Sequence, residues 1–208
     1  MKSLPDNIVI VGAGGHAKVV IATVRAAGGE VVAAYDDDRA RWGQQILGVP
    51  VKGPISAKDI GGAPAIVAVG NNRTRQSIAE RLQAQWVSAC HPNTTVHPSV
   101  SIGPGTVIFA GSVIQPDATI GAHSILNTAV SVDHDCIVGD FVHIGPGARL
   151  CGGVTVDEGV LLGVGAKIAP NVEIGPWATA GAGAVCVVDI ARETTVVGVP
   201  ARSVEAKE

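Results

Sequence analysis

Apolar residues recur at every sixth position of the chain between residues 96 and 184. One set of mostly branched aliphatic residues begins at Val96 and ends at Ala180, and small or β-branched residues lie four positions after each of them, from Val100 to Ala184. A helix would spread both sets around its circumference, whereas short strands that meet at regular corners point both sets inward. The pattern therefore predicts the hexapeptide repeat of a parallel β-helix.

Three hexads complete one triangular coil of such a helix, so residues eighteen positions apart lie above one another at a spacing of about 4.8 Å. The fifteen hexads of this chain predict five coils. Glycine follows the aliphatic residue in seven hexads. We expect unusual backbone dihedral angles at these corner glycines, which are Gly103, Gly121, Gly139, Gly145, Gly163, Gly175 and Gly181.

The first ninety residues follow a different pattern, in which short apolar runs alternate with stretches of helical periodicity. Strands are predicted at residues 7–11, 30–35 and 65–69. One helix is predicted to begin in the segment 12–17 and to end at residue 27, and another is predicted at residues 72–85. Such alternation is typical of a parallel sheet with helices packed on it. We therefore predict a Rossmann-like α/β domain at residues 1–90, followed by an all-β domain, the β-helix with a C-terminal tail, at residues 91–208.

The first predicted strand leads into a glycine-rich turn, GAGGHA at residues 12–17, and Asp36 follows a little over twenty residues after it begins. Such glycines let the backbone approach phosphate groups, and the N-terminus of the next helix favours their negative charge. The domain has room for only one mononucleotide-binding half. We therefore expect a substrate that carries a nucleotide rather than a full nicotinamide site, with a purely structural turn as the alternative.

Composition and charge narrow the function classes. Hydrophobic residues make up 47% of the 208 residues and aromatic residues only 3%, as a narrow solenoid with aliphatic rungs requires. No run approaches the roughly 20 apolar residues that cross a bilayer, and residues 1–10 lack the features of a signal peptide. A net charge of −3 without a basic cluster argues against nucleic acid as a partner. Four cysteines without metal or redox spacing fit a cytoplasmic protein.

The largest polar cluster on the predicted β-helix is Asp133-His134-Asp135. A neutral histidine that is held by a carboxylate can act as a general base. Gly152 lies eighteen residues after His134 and so directly above it. Its missing side chain leaves room for a bulky group and exposes a backbone N–H that could stabilise an oxyanion. The alternative is a solvated corner without a function.

His143 follows His134 by nine residues, or half a coil, so the strand rise separates the two side chains by more than about 10 Å in one subunit. A site that uses both must lie between neighbouring prisms, and a three-sided prism packs naturally as a C3 trimer. The spacings of His123, His134 and His143 place no two of them on one edge, so we expect no zinc site. His123 itself is expected at the surface without a partner.

Five segments together carry a family resemblance: IVIVGAGGHAKVV at residues 8–20, YDDD at 35–38, VAVGNNRTR at 67–75, VDHDCIVGDFVHIGPGARLCGGV at 132–154 and VVGVPAR at 196–202. Through them the chain resembles bacterial sugar O- and N-acetyltransferases of the sialic acid O-acetyltransferase and bacillosamine N-acetyltransferase type. The hexapeptide repeat alone would indicate only a broader acyltransferase superfamily. The resemblance implies that the β-helix is left-handed.

The resemblance also implies roles for particular residues. His134 matches the general base, and Asp135 the acidic residue, often glutamate, that raises its basicity. Residues that match the acetyl-CoA site are His143, which contacts the acetyl group from the adjacent subunit, Gly152 at the thioester, and Val164 and Ala182 along the CoA groove. Residues that match the nucleotide-sugar site are Gly12, Gly14, Gly15, His16, Asp36, Asp37 and, near the sugar, Asn127.

These expectations combine into one function. The chain is predicted to be an acetyl-CoA-dependent N-acetyltransferase that acts on a nucleotide-linked amino-sugar, UDP-linked by preference, as a homotrimer with intersubunit sites. Transfer would be direct, because Cys136 points inward and Cys151 has no adjacent base. The alternatives are an O-acetyltransferase of sialic acid or a related sugar, an NAD-dependent oxidoreductase, and a non-catalytic nucleotide-sugar-binding protein.

Overall fold

The computed structural model describes residues 4–204. Its first part is an α/β domain with one six-stranded sheet, ordered β3-β4-β2-β1-β5-β6, in which only the β3–β4 pair is antiparallel. The strands are β1 (Ile8–Val11), β2 (Val31–Tyr35), β3 (Gln45–Ile46), β4 (Val49–Lys52), β5 (Pro64–Val67) and β6 (Gln85–Trp86). The helices are α1 (Gly15–Ala26), α2 (Ala57–Ile60) and α3 (Asn72–Arg81), with a 3₁₀ turn at Arg39–Arg41.

This domain confirms the predicted parallel sheet and adds elements that the sequence pattern did not reveal. The β3–β4 hairpin, α2 and β6 were not predicted, since each is only two to four residues long. Helix α3 ends at Arg81 and not at residue 85, because Leu82 is already extended and leads into β6. No helix within residues 4–204 has the length and apolar character needed to cross a bilayer.

The second part is a β-helix of short strands in three sheets, which form the three faces of a prism. Face 1 contains β7 (Ala89–Cys90), β10 (Val107–Ile108), β13 (Ile125–Leu126), β16 (His143–Ile144), β19 (Leu161–Leu162), β22 (Thr179–Ala180), β24 (Thr195–Val197) and the antiparallel β25 (Arg202–Ser203). Face 2 contains β8 (Thr95–Val96), β11 (Val113–Ile114), β14 (Ser131–Val132), β17 (Arg149–Leu150), β20 (Lys167–Ile168) and β23 (Val185–Cys186). Face 3 contains β9 (Ser101–Ile102), β12 (Thr119–Ile120), β15 (Ile137–Val138), β18 (Thr155–Val156) and β21 (Glu173–Ile174).

The register of the β-helix is the predicted one. Residues eighteen apart pair on every face, as Ile125 does with His143 on face 1. From Thr106 to Ala184 every residue of the two predicted inward sets is buried. Because β7 already pairs with β10, the first rung of the prism begins at residue 89, just before the predicted domain boundary at residue 90.

The corner glycines have a different role from the predicted one. Positive φ recurs at every sixth position from residue 105 to residue 183, three positions after the inward aliphatic residue, and alanine, aspartate and aromatic residues as well as glycine adopt it. The seven glycines that directly follow the aliphatic residue do not have positive φ. At Gly163 a Cβ atom would lie only 2.6 Å from the backbone nitrogen of Ala182. Glycine at this position therefore permits the close approach of adjacent coils.

This difference predicts a stability contrast between two neighbouring glycines. Gly163→Ala should lower the free energy of unfolding by about 2–3 kcal/mol, because the methyl group would overlap the backbone of the next coil. Gly165→Ala should cost only about 1 kcal/mol, the strain of a side chain at positive φ. Gly165 has φ +67° and no atom near its Cβ position, and Ala129 already adopts φ 58° at the same corner. Equal losses in urea unfolding would contradict this assignment.

The α/β domain packs on face 1 and shares a core with it. Apolar residues of β1 and α1, including Ile10, Val20 and Ile21, cluster with Val107 and Ile125 of the prism. Helix α1 lies against β7. This packing places the glycine-rich turn after β1 next to the middle of face 1.

Candidate active site

His134 lies at the corner between faces 2 and 3, and its side chain is 62% exposed. Its Nδ1 donates a hydrogen bond to Asp135 Oδ2 at 2.7 Å, and its backbone N–H donates to Asp133 Oδ1 at 2.8 Å. The hydrogen bond to Asp135 raises the pKa of His134, and the charge of Asp133 adds to this effect. Asp135 has φ 58°, a left-handed conformation that aspartate tolerates well. In the neutral ring Nε2 then carries the free lone pair.

Gly152 lies directly above His134, as the sequence predicts. A Cβ atom at Gly152 would lie 2.6 Å from Cε1 and 2.7 Å from Nε2 of His134, so the imidazole ring occupies the space that was expected to remain open. The Gly152 carbonyl accepts from the next coil, whereas its N–H donates to no group within residues 4–204. The corner therefore combines an exposed imidazole with a backbone N–H of the next coil that has no partner within the described residues.

A second cluster of site residues lies on face 1, beneath the α/β domain. His143 donates from Nδ1 to the Gly70 carbonyl at 3.2 Å and accepts at Nε2 from the Asn127 amide at 3.1 Å. The His16 ring lies 6.1 Å from the His143 ring and 5.5 Å from the Phe109 ring, measured between centroids. Burial lowers the pKa of both His16 and His143 to about 4. Both rings are therefore neutral at pH 7.

The two acidic residues predicted for the nucleotide pocket form hydrogen bonds within the domain itself. Asp36 Oδ2 accepts from the Ala13 N–H at 2.6 Å, while the Arg41 guanidinium donates to the Ala13 carbonyl at 2.7 Å. Asp37 accepts from the Ile55 N–H and pairs with Arg81 at 3.2 Å. Asp36 therefore braces the glycine-rich turn, and Asp37 links the Ile55 backbone to Arg81 of α3.

The turn itself is open where phosphate would approach. A Cβ atom at Gly14 or Gly15 would meet nothing within 4 Å, whereas one at Gly12 would collide with Val69 and the Ala68 carbonyl. Helix α1 begins without a side-chain cap, which leaves its first-turn N–H groups available to a bound anion. Gly12 thus permits close packing against the turn after β5, whereas the space beside Gly14 and Gly15 is open.

Arg75 of α3 is a residue that sequence reasoning missed. Only 1% of it is exposed, and its guanidinium donates to the carbonyls of His123 and Phe141 at 2.7 Å each, to Gly70 at 3.2 Å and to Asn72 Oδ1 at 2.9 Å. Burial lowers the pKa of Arg75 to about 10, so it remains charged at neutral pH. It ties the turn after β5 to the prism. A basic residue in a polar helix gives no sequence signal of such burial.

The expectation that His123 lies at the surface is wrong. It is 6% exposed, stacks on Phe141 with ring centroids 5.2 Å apart, and meets the Trp86 ring edge-on at 4.8 Å. The strand β6 of the α/β domain covers this corner, which the β-helix repeat alone does not reveal. Within residues 4–204 no three histidine, cysteine or acidic residues are grouped to hold a metal ion.

Val164 and Ala182 lie at the corner between faces 1 and 2, both exposed. One chain therefore presents the predicted site residues at three places: the corner with His134, the corner with Val164, and the cluster under the α/β domain. No hydrogen bond joins His134 to the cluster at His143 within the described chain.

Comparisons with known proteins assign this architecture to a family. Residues 7–82 match the PglD N-terminal domain. A His-to-Asn variant of perosamine N-acetyltransferase from Caulobacter crescentus, solved in complex with CoA and GDP-perosamine, is 41% identical, with a TM-score of 0.91 over 96% of this chain and 97% of that chain. The acetyltransferase domain of PglB from Neisseria gonorrhoeae FA1090, solved in complex with acetyl coenzyme A, is 40% identical, with a TM-score of 0.87 over 95% of this chain and 98% of that chain.

A curated relative extends the comparison to a second nucleotide. UDP-N-acetylbacillosamine N-acetyltransferase from Bacillus subtilis (strain 168) is 39% identical over 111 residues, which is 50% of this chain and 51% of that protein. The chain spans about half the length of the curated relatives it matches. Their names include both a GDP-linked and a UDP-linked sugar.

Proposed function

Because the chain belongs to the PglD-type sugar N-acetyltransferases of the hexapeptide-repeat family, we propose that it transfers the acetyl group of acetyl-CoA to the amino group of a nucleotide-linked sugar. The observation that carries this proposal is the His134–Asp135 pair beneath the unpaired N–H of Gly152. These groups supply a base and an oxyanion donor at one exposed corner.

Transfer proceeds directly from the thioester to the amine. The sugar nitrogen attacks the thioester carbonyl carbon while Nε2 of His134 accepts its proton. Asp135 holds Nδ1 and stabilises the imidazolium that forms, and the Gly152 N–H donates to the developing oxyanion. The C–S bond then breaks, and the CoA thiolate that leaves takes the proton from the His134 imidazolium, so the amide product, the free thiol of CoA and neutral His134 result. Cys136 is buried and Cys151 has no neighbouring base, so neither supports an acyl-enzyme.

The acceptor site in this proposal is built by two subunits of a homotrimer. The glycine-rich turn, His16 and Asn127 belong to one chain, and His134 of a neighbouring prism completes the site. Acetyl-CoA lies between the prisms along the corner of Val164 and Ala182, with its thioester at Gly152. The supporting observation is that one chain presents these groups on different faces and corners.

The first turn of α1 is the proposed seat of the sugar nucleotide's diphosphate. The open space at Gly14 and Gly15 and the uncapped helix start support this placement. We propose a UDP-linked amino-sugar as the acceptor, and a GDP-linked amino-sugar is the second candidate because of the named relatives.

Release of free thiol from acetyl-CoA tests the proposal. The protein is assayed with UDP-linked and GDP-linked 4-amino-sugars, and each amine is matched by the same sugar with a hydroxyl group in its place. Thiol release with an amino-sugar supports N-acetylation. The nucleotide sugar that gives the higher kcat/KM identifies the preferred nucleobase, uracil or guanine. Release with hydroxylated sugars alone would establish O-acetylation instead, and release with neither would overturn the proposed function.

Replacing the partner of the base should shift the pH dependence of the reaction. The base must be neutral to accept a proton, so kcat/KM falls as the pH drops below its pKa. Since the hydrogen bond to Asp135 raises the pKa of His134, Asp135→Asn should move this fall to lower pH and reduce the plateau rate. Asp117→Asn is the matched control, because Asp117 occupies the same corner one coil below with φ 64°. If kcat/KM of Asp135→Asn fell at the same acidic pH as that of the wild-type protein, the pairing of Asp135 with His134 would be contradicted.

A further inference from the structure

A chain of hydrogen bonds runs from the buried Arg75 guanidinium to the Asn127 carboxamide. Arg75 and His143 Nδ1 both donate to the Gly70 carbonyl, each at 3.2 Å. The Asn127 amide nitrogen lies 3.1 Å from His143 Nε2, and the Asn127 side-chain oxygen accepts from the Thr128 N–H at 2.9 Å. This series of hydrogen bonds thus links the turn after β5 to the edge of face 1.

Both ends of this chain fix the proton on the His143 ring. A carbonyl oxygen only accepts, so the Gly70 carbonyl requires a proton on Nδ1. A backbone N–H only donates, so Thr128 requires the Asn127 oxygen to face it and turns the amide nitrogen toward His143. Nε2 must then accept. The two requirements agree on a single neutral tautomer with the proton on Nδ1.

The surroundings of His143 keep this tautomer neutral. Burial lowers the pKa of His143 to about 4, and the positive charge of Arg75 adds to the effect. The neighbouring His16 is likewise neutral, because its own burial lowers its pKa to about 4. Both ring nitrogens of His143 are therefore engaged, and the ring has neither a proton nor a lone pair left for a substrate.

We propose that His143 is a positioning residue, which holds the Asn127 carboxamide as a hydrogen-bond donor to the acceptor sugar. One N–H of that carboxamide donates to His143, and the other donates to no group within residues 4–204. Asn127 is half-buried at the edge of face 1, next to His143 and near the glycine-rich turn of the same chain. The proposal rests on the proposed function for the identity of the sugar, and it assigns His143 a role other than direct contact with the acetyl group.

The tautomer can be measured without any substrate. A long-range ¹H–¹⁵N spectrum of the ¹⁵N-histidine-labelled protein at pH 7 should show His143 with its proton on Nδ1, and loss of that signal in His143→Asn, or in His143→Gln if the first variant does not fold, assigns it. The pattern should persist to about pH 5, since the pKa of His143 is lowered to about 4. A proton on Nε2, or a cationic ring at pH 7, would overturn the proposal.

A double-mutant cycle tests the path of action. Asn127→Ala and His143→Asn should each raise KM for the nucleotide sugar about 10-fold, the effect of one hydrogen bond, and leave KM for acetyl-CoA unchanged. If His143 acts through Asn127, KM for the nucleotide sugar in the double variant should not exceed that of the more impaired single variant. Effects that multiply, or that fall on KM for acetyl-CoA, would overturn the positioning role.

The two proposals fail in different ways. A wild-type protein that releases no CoA with any amino-sugar would overturn the proposed function, whatever the nitrogen spectrum shows. Normal turnover with multiplying effects in the double variant would leave the proposed function intact and overturn only the role of His143.

Discussion

His134→Ala should lower kcat by about 10²- to 10⁴-fold, the usual contribution of a positioned general base. The side chain is largely exposed, and its ring bonds only the neighbouring Asp135, so its removal takes little from the fold. Steady-state thiol release measures the rate, and thermal unfolding measures the stability. The expected pattern is a large loss of rate without a change of melting temperature.

His97→Ala is the matched control for this variant. His97 is also exposed at the corner between faces 2 and 3, one position before the register position of His134, and its ring bonds Ser99 at 2.9 Å. It lacks the acidic neighbours of His134. It should keep wild-type turnover. A His134→Ala protein that retained more than half of the wild-type rate would show that the base lies elsewhere.

Gly152→Ala should lower kcat/KM by about 100-fold, a loss typical of a catalytic group displaced by about 1 Å. The new methyl group would overlap the His134 ring, with Cβ at 2.6 Å from Cε1. The ring is an exposed, mobile end of a side chain and can move aside, so stability should change little. The displaced ring loses its alignment with Asp135 and with the acceptor amine.

The same substitution in a His134→Ala background separates this cause from a blocked thioester site. Without the ring there is nothing to displace, so Gly152→Ala should then cost little more. A full 100-fold loss in both backgrounds would show that position 152 acts on acetyl-CoA and not through the base.

The β-helix could be predicted from the sequence because its cause is periodic. Every inward residue from Thr106 to Ala184 is buried, and the eighteen-residue register that places Gly152 over His134 follows from counting alone. The parallel sheet of the α/β domain was also predictable, since β1, β2 and β5 are continuous apolar runs between helices.

The remaining features depend on contacts between distant parts of the chain. Arg75 and His123 are buried because β6 and α3 meet the prism, a contact that neither repeat nor helical periodicity encodes. The internal hydrogen bond of Asp36 was not predicted either, because its carboxylate accepts the N–H of Ala13, twenty-three residues away along the chain. The role of the seven corner glycines was wrongly predicted because two causes favour glycine at a corner, the close approach of adjacent coils and a positive φ angle. The sequence does not distinguish these causes, whereas the backbone geometry does.

The central claim is that His134 of one chain and the His143–Asn127 cluster of its neighbour form one site. Mixing His134→Ala chains with His143→Asn chains tests it most directly, once each variant is shown to be impaired and mass analysis confirms subunit exchange. The assay uses a sugar concentration well below KM, because the His143→Asn variant is expected to raise KM and is impaired only there. In a C3 trimer every mixed assembly contains one interface with both groups intact, so equal amounts should recover about one quarter of the wild-type activity. If both groups acted within one chain, no mixed trimer would contain an intact site. Activity that stays at the level of the separate variants after confirmed exchange would therefore contradict the account.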